Sequence, residues 1–117
     1  MKIVMFLFAN LLRKDFIVYK HRFNLHEKVQ VHHIIPLEWK KHSSLLNHEY
    51  DIDAGYNLIF MPSKIGEKTI NTVRRVHDGG HPKYNLHIKE LLDQNEDPFE
   101  INKNIHKKIL NNEEIPW

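Results

Sequence analysis

The spacing of apolar and polar positions divides the chain into short segments. Residues 3–12 are almost all apolar, so period cannot separate helix from strand there. The run is expected to pack on the core as one or the other. Residues 15–31 alternate loosely, with Phe16, Val18, Phe23, Leu25, Val29 and Val31 at the apolar positions. β-Branched residues accumulate from Val29 to Ile35, and Pro36 stops a run that reads as a strand. Residues 37–55 are mixed and read as a loop with one short helix near 41–48. Residues 56–61 form a second apolar run between Gly55 and Pro62, which predicts a strand paired with the first.

Helical signals dominate the second half. Ser63 is placed to cap a helix over 64–76, slightly weakened by Gly66. The pair Gly79-Gly80 breaks it. Pro82 suits the first turn of a new helix, with His81 or a neighbour as its cap. Tyr84, Ile88, Leu91 and Leu92 then recur at helical spacing to about Asp93. Asp97-Pro98-Phe99-Glu100 reads as a capping box opening a last helix to about Leu110, with Phe99, Ile101, Ile105 and Ile109 inward. No repeat, linker or low-complexity tract interrupts the pattern. The expectation is one α+β domain over 1–117.

Composition narrows the chemistry. At 117 residues there is room for one modest core. Hydrophobic residues make up 41% and charged residues 27%, which is globular and excludes a disordered chain. No cysteine is present, which removes thiolate nucleophiles, disulfides and cysteine-based zinc sites together. A net charge of +2 is too small to prove a polyanionic partner. The run 3–12 is too short to span a bilayer. No small-x-small cleavage site follows before Arg13-Lys14, so secretion and membrane insertion are not expected. The expected location is the cytoplasm, or wherever the host's nucleic acid lies.

Histidine is the outlier, with ten in the chain. Imidazole is the commonest metal ligand and titrates near neutrality. His21, His26, His42, His48, His87 and His106 are read as incidental surface residues. The other four fall in two segments, 31–36 (Val-His-His-Ile-Ile-Pro) and 77–85 (His-Asp-Gly-Gly-His-Pro-Lys-Tyr-Asn). Between them lies 55–62, Gly-Tyr-Asn-Leu-Ile-Phe-Met-Pro. Successive strand residues point to opposite faces, so one of His32 and His33 can bind a metal while the other serves as a base. Phosphodiester cleavage needs both jobs. His77 and His81, four apart around two glycines, can chelate one ion in a helix or a turn.

Together and in this order, the three segments resemble the AHH branch of the HNH/endonuclease VII-like nucleases over residues 29–93. Val31 stands where that branch has its name-giving alanine. The resemblance implies a ββα-metal finger: two antiparallel strands and a helix clasping one divalent ion. It implies His32, His77 and His81 as metal ligands and His33 as the general base. Asn57 would orient His33 or hold the loop behind it. The interval from Asn57 to His77 is long enough for a whole helix, so a second arrangement stays open. In it, His81 and Asn85 face the metal from the helix after Gly80, and His77 contacts phosphate or supports the ligands from behind.

Arg74, Arg75 and Lys83 are the candidate phosphate contacts, because guanidinium and ammonium groups match its charge. Tyr84 reads as a core anchor. Trp39 and Trp117 read as packing residues that could also stack on bases. Histidine ligands favour a transition ion such as zinc, manganese or nickel over magnesium. The expected activity is metal-dependent hydrolysis of DNA with low sequence specificity. An RNase on the same scaffold, or a non-catalytic zinc-stabilised nucleic-acid-binding module, are the alternatives. An immunity-type inhibitor protein is the partner the resemblance adds to nucleic acid.

Overall fold

A computed structural model describes residues 13–77 and 79–117. The apolar run 3–12 lies outside these residues. The order is α1 (Arg13–Arg22), β1 (Val29–His33), α2 (Ser43–Asn47), β2 (Leu58–Pro62), α3 (Lys64–Thr69), α4 (Pro82–Asp93) and α5 (Pro98–Leu110). Short 3-10 turns occupy Leu37–Trp39 and Gly55–Asn57. The α+β expectation holds. β1 and β2 pair antiparallel, with His32 opposite Ile59 and His33 opposite Leu58. Among the described residues no helix is long and apolar enough to cross a membrane.

The core forms where α4 and α5 pack over the strand pair. Tyr84, Ile88 and Leu92 repeat every four residues along α4 and are fully buried, the stripe an amphipathic helix presents to a core. Ile101, Ile105 and Ile109 do the same on α5. They meet Ile34, Ile35, Leu45, Ile59 and Met61. Each such side chain contributes about 1.5–3 kcal/mol by leaving water. Pro82 and Pro98 each sit in the first turn of their helices, and the Asp97 carboxylate accepts from Phe99 N–H at 2.8 Å. Phe99 departs from expectation. It is 43% exposed and packs against the Tyr50 and Tyr56 rings at the rim.

Two helix predictions need correction. The first is α1, for which the loose alternation gave no signal. Phe16 alone is buried along it, against Phe60 with ring centroids 5.1 Å apart. The second is the helix over 64–76, which ends at Thr69. Ser63 caps it as expected, its Oγ accepting from Gly66 N–H at 3.0 Å. Gly66 has a reason that the sequence hides: a Cβ there would lie 1.7 Å from the Lys28 carbonyl oxygen. Beyond Thr69 the chain follows β2 instead of coiling. The Arg74 guanidinium donates to the Phe60 carbonyl at 2.7 Å, and His77 N–H donates to the Pro62 carbonyl at 2.8 Å. Gly79 takes a positive φ of 67°, a conformation costly for other residues.

Asn57 ties these parts together. Its Oδ1 accepts from Ile35 N–H at 2.8 Å and from the Tyr50 hydroxyl at 2.5 Å. Its Nδ2 donates to the carbonyls of Ile35 at 3.1 Å and Ile52 at 2.8 Å. Its backbone carbonyl accepts from Ile34 N–H at 2.8 Å. Replacing Asn57 by alanine would strand four buried polar groups. The expected loss is about 3 kcal/mol, read as a lower urea midpoint at unchanged m-value.

Candidate metal and catalytic site

β1 ends where the irregular segment 70–77 returns and α4 begins. That convergence brings together His32 from β1, His77 from the returning segment and His81 from the residue before α4. One ring nitrogen of each lies within 4.8 Å of the other two, and this is the group of metal-competent side chains found among the described residues. The rings are packed edge to face at centroid distances of 5.1 Å. They open on a cavity of about 320 Å³ that His33 and Asn85 also line. A second groove, about 190 Å³ along α1, is lined by apolar side chains with Asp15 and Arg22 and carries no histidine.

Hydrogen bonds set the tautomers. The Gln30 amide oxygen lies 2.6 Å from His77 Nδ1, and an amide oxygen only accepts. Nδ1 therefore carries the proton, and Nε2 keeps its lone pair. Asn85 Oδ1 does the same to His81 Nδ1 at 2.8 Å. His77 Nε2 stands 3.2 Å from His32 Nδ1, so in the metal-free protein His32 donates there. His32 Nε2 is then a bare nitrogen, buried without a hydrogen-bond partner. A buried lone pair left unmatched is costly. Three neutral imidazoles that converge in this way fit a borderline divalent ion of the zinc type.

Burial, then the neighbouring His77, His81 and His33, holds the His32 pKa down to about 2. The ring is 1% exposed and remains a neutral ligand throughout the working range. Trp117 closes one side of the cluster, with centroids 5.6 Å from His32, 5.5 Å from His77 and 4.9 Å from His81. Arg75 stacks over the indole, its Cζ 4.1 Å from the ring centre. Tyr84 lies beneath His32 at 4.9 Å and donates its hydroxyl to the Ile34 carbonyl. It is the core anchor expected.

The remaining site residues fall as follows. His33 stays outside the three-histidine group but lines the same cavity, and its Nε2 meets Asp53 Oδ1 at 3.3 Å. Asn57 does not touch the His33 ring. Its bonds run to the backbone behind it, the second of the two roles considered. Asn85 sits behind His81 as its hydrogen-bond partner, while His77 joins the triad. Arg74 is half-buried against Phe60, and burial pushes its pKa down. Lys83 is exposed. Trp39 is fixed by its indole N–H to the Asn85 carbonyl at 2.9 Å. Gln30, Asp53 and the covering role of Trp117 were missed, because each acts across the fold and none sits in a histidine-bearing segment.

Two histidines read as incidental do structural work, and a third is not a surface residue. His42 Nδ1 caps α2 by accepting from Ser44 N–H at 3.1 Å, and its Nε2 pairs with Asp93 at 2.8 Å. His48 Nδ1 bonds the Ser44 carbonyl at 2.8 Å. His106 is partly buried, and burial followed by the charge of Arg74 lowers its pKa.

The model of the AHH family, a nuclease family of the HNH/ENDO VII superfamily with conserved AHH, matches residues 16–112. No curated protein and no solved structure matches the chain.

Two outcomes follow from the site. Unfolded His32 takes up a proton near its ordinary value of 6.5, and folded His32 does so only near 2. Its contribution is therefore complete above the unfolded value and is lost as pH falls through that window. Between pH 7.5 and 5 the metal-free protein should lose about 2 kcal/mol more than His32→Gln, measured by urea titration in chelator. Removing the Gln30 amide should also cost metal affinity. Gln30→Ala should bind zinc about tenfold more weakly in a chelator competition, whereas Gln30→Glu should hold it.

Proposed function

The chain belongs to the AHH family of nucleases in the HNH/ENDO VII superfamily, and from that premise we propose that it is a metal-dependent endonuclease of the ββα-metal type. β1, β2 and the start of α4 would form the finger. His32, His77 and His81 would hold one divalent ion, with zinc, manganese or nickel favoured by the imidazole donors. Such an ion would supply positive charge against the charge that builds on phosphate. Three protein ligands leave a coordination position open, as catalytic sites do and structural ones do not.

One observation carries the mechanism: His33 adjoins the triad in sequence, lines the same cavity, and is tethered to Asp53 instead of joining the three ligands. His33 takes a proton from water. The water oxygen bonds to phosphorus, the bond to the leaving sugar oxygen breaks, and that oxygen takes a proton from solvent. Asn57 holds the backbone on which His33 is mounted. The Arg75 guanidinium flanks the cluster over Trp117, and the exposed Lys83 is anchored at its backbone, whose N–H donates to the Trp117 carbonyl at 3.3 Å. They are the cations best placed for phosphate. Arg74 shares that role only through donors not engaged by Phe60.

DNA is the proposed substrate, cut with low sequence specificity because little of the chain is left to read bases. RNA on the same scaffold is the second reading, since phosphate and sugar contacts do not separate them. The location stays with the nucleic acid, and an inhibitor protein would be a partner only in a toxin setting.

The test uses supercoiled plasmid and a structured RNA, with EDTA and then zinc, manganese, nickel or magnesium restored. Wild type should nick plasmid only with metal. His33→Ala should keep zinc affinity and lose at least about a hundredfold in rate. Tight zinc binding with no cleavage of either substrate would instead mark a structural site and a binding module. Cleavage confined to one DNA sequence would overturn the low specificity.

A further inference from the structure

The loop before the Gly55–Asn57 turn brings a carboxylate to His33. Asp53 Oδ1 lies 3.3 Å from His33 Nε2, at the long end of hydrogen-bond geometry, as pairs in resting sites often are. The His33 side chain is 15% exposed and that of Asp53 48%. Asp53 is not among the side chains grouped with the triad. Its own position is fixed twice. Asp53 N–H donates to Asp51 Oδ1 at 3.0 Å, and the neighbouring Ile52 carbonyl accepts from Asn57 Nδ2 at 2.8 Å. The same Nδ2 donates to the Ile35 carbonyl at 3.1 Å, two residues beyond His33. One buried amide therefore sets the spacing between the stretch that carries His33 and the loop that carries Asp53.

An ionised carboxylate accepts and never donates. His33 Nε2 thus holds the ring proton, and the lone pair lies on Nδ1. No hydrogen-bond partner meets Nδ1 among the described residues, and His33 lines the cavity above the triad. Without Asp53, a neutral imidazole could carry its proton on either nitrogen and rotate about χ2.

We propose that Asp53 is a positioning residue for His33. It selects the tautomer with Nδ1 bare and fixes the ring so that Nδ1 meets the attacking water. This rests on the nuclease reading above. In the step it serves, the water proton passes to Nδ1 while the oxygen bonds to phosphorus. Asp53 keeps its hydrogen bond to Nε2–H and transfers no proton.

The experiment compares wild type, Asp53→Ala, Asp53→Asn and Asp53→Glu, all loaded with zinc, on a fluorescent duplex, with nitrogen NMR of the labelled histidines alongside. Asp53→Ala should lose about tenfold in kcat, with KM and zinc affinity within about twofold of wild type, whereas Asp53→Asn, whose amide oxygen can still accept from Nε2–H, should keep most of the rate. Asp53→Glu should recover part of the rate. His33 should show the Nε2–H tautomer in wild type and a mixture in Asp53→Ala. Three results would overturn the role of Asp53: an unchanged kcat in Asp53→Ala, an unchanged tautomer there, or a rate loss matched by a loss of zinc. Those results in an active wild type leave the nuclease reading standing. A wild type that cuts neither DNA nor RNA with any ion overturns both.

Discussion

Asn57 is fully buried, with two lone-pair sites and two N–H groups to satisfy. All four are met, and the partners come from Ile35, Tyr50 and Ile52. A buried amide with even one group unmatched would cost as much as several good contacts return. The three segments around it therefore have one low-energy arrangement. The end of β1 cannot slide against β2, because a one-residue shift would turn His32 to the outer face and break the amide bonds to Ile35 together. The network extends outward, since Asn102 Nδ2 donates to the Tyr50 hydroxyl at 2.7 Å and to the Tyr56 carbonyl at 2.8 Å. α5, distant in sequence, is thereby locked to the same point as the strand that carries the histidines.

That fixed strand end gives two adjacent histidines two environments. His32 faces inward under Trp117 and Tyr84, where loss of water and three neighbouring imidazoles keep it neutral. His33, beside it at the cavity, turns its Nε2 to the Asp53 carboxylate. One position is suited to donate a lone pair to a cation and the other to accept a proton. The division follows once β1 is held in register, and no special sequence beyond the pair is needed. Tyr84 contributes from α4 by pinning the Ile34 carbonyl just past the pair.

What the sequence made legible is local. Alternation and β-branching gave β1 and β2, and caps and four-residue spacing gave α4 and α5, because each signal lies within one turn or one strand. α1 was not legible: along it Phe16 is buried while Val18 and Tyr19 are exposed, so no apolar stripe exists to be read. The overlong helix after Ser63 failed for the opposite reason. Its residues tolerate a helix, but Arg74 and His77 gain bonds to the β2 backbone that no local rule anticipates. In the site, the histidines were legible because they cluster in the chain. Their partners were not, since Gln30 lies 47 residues from His77 and Asp53 20 from His33.

The cover over the triad bears on why three imidazoles can be gathered at all. If protonated, they would repel one another across about 5 Å in a poorly solvated site, and the cluster would open. Neutral, they present lone pairs toward one another, which is also unfavourable unless a proton or a cation lies between. In the metal-free protein the bond from His32 to His77 relieves one such contact, and the buried His32 Nε2 goes without a partner. A divalent ion would answer several lone pairs at once, whereas each proton answers one and brings a charge that Trp117 and Tyr84 do little to solvate. Arg75, stacked on Trp117, adds positive charge near the cluster. The same charge would favour an approaching phosphate. Burial that keeps a proton off His32 thus also suits the proposed chemistry.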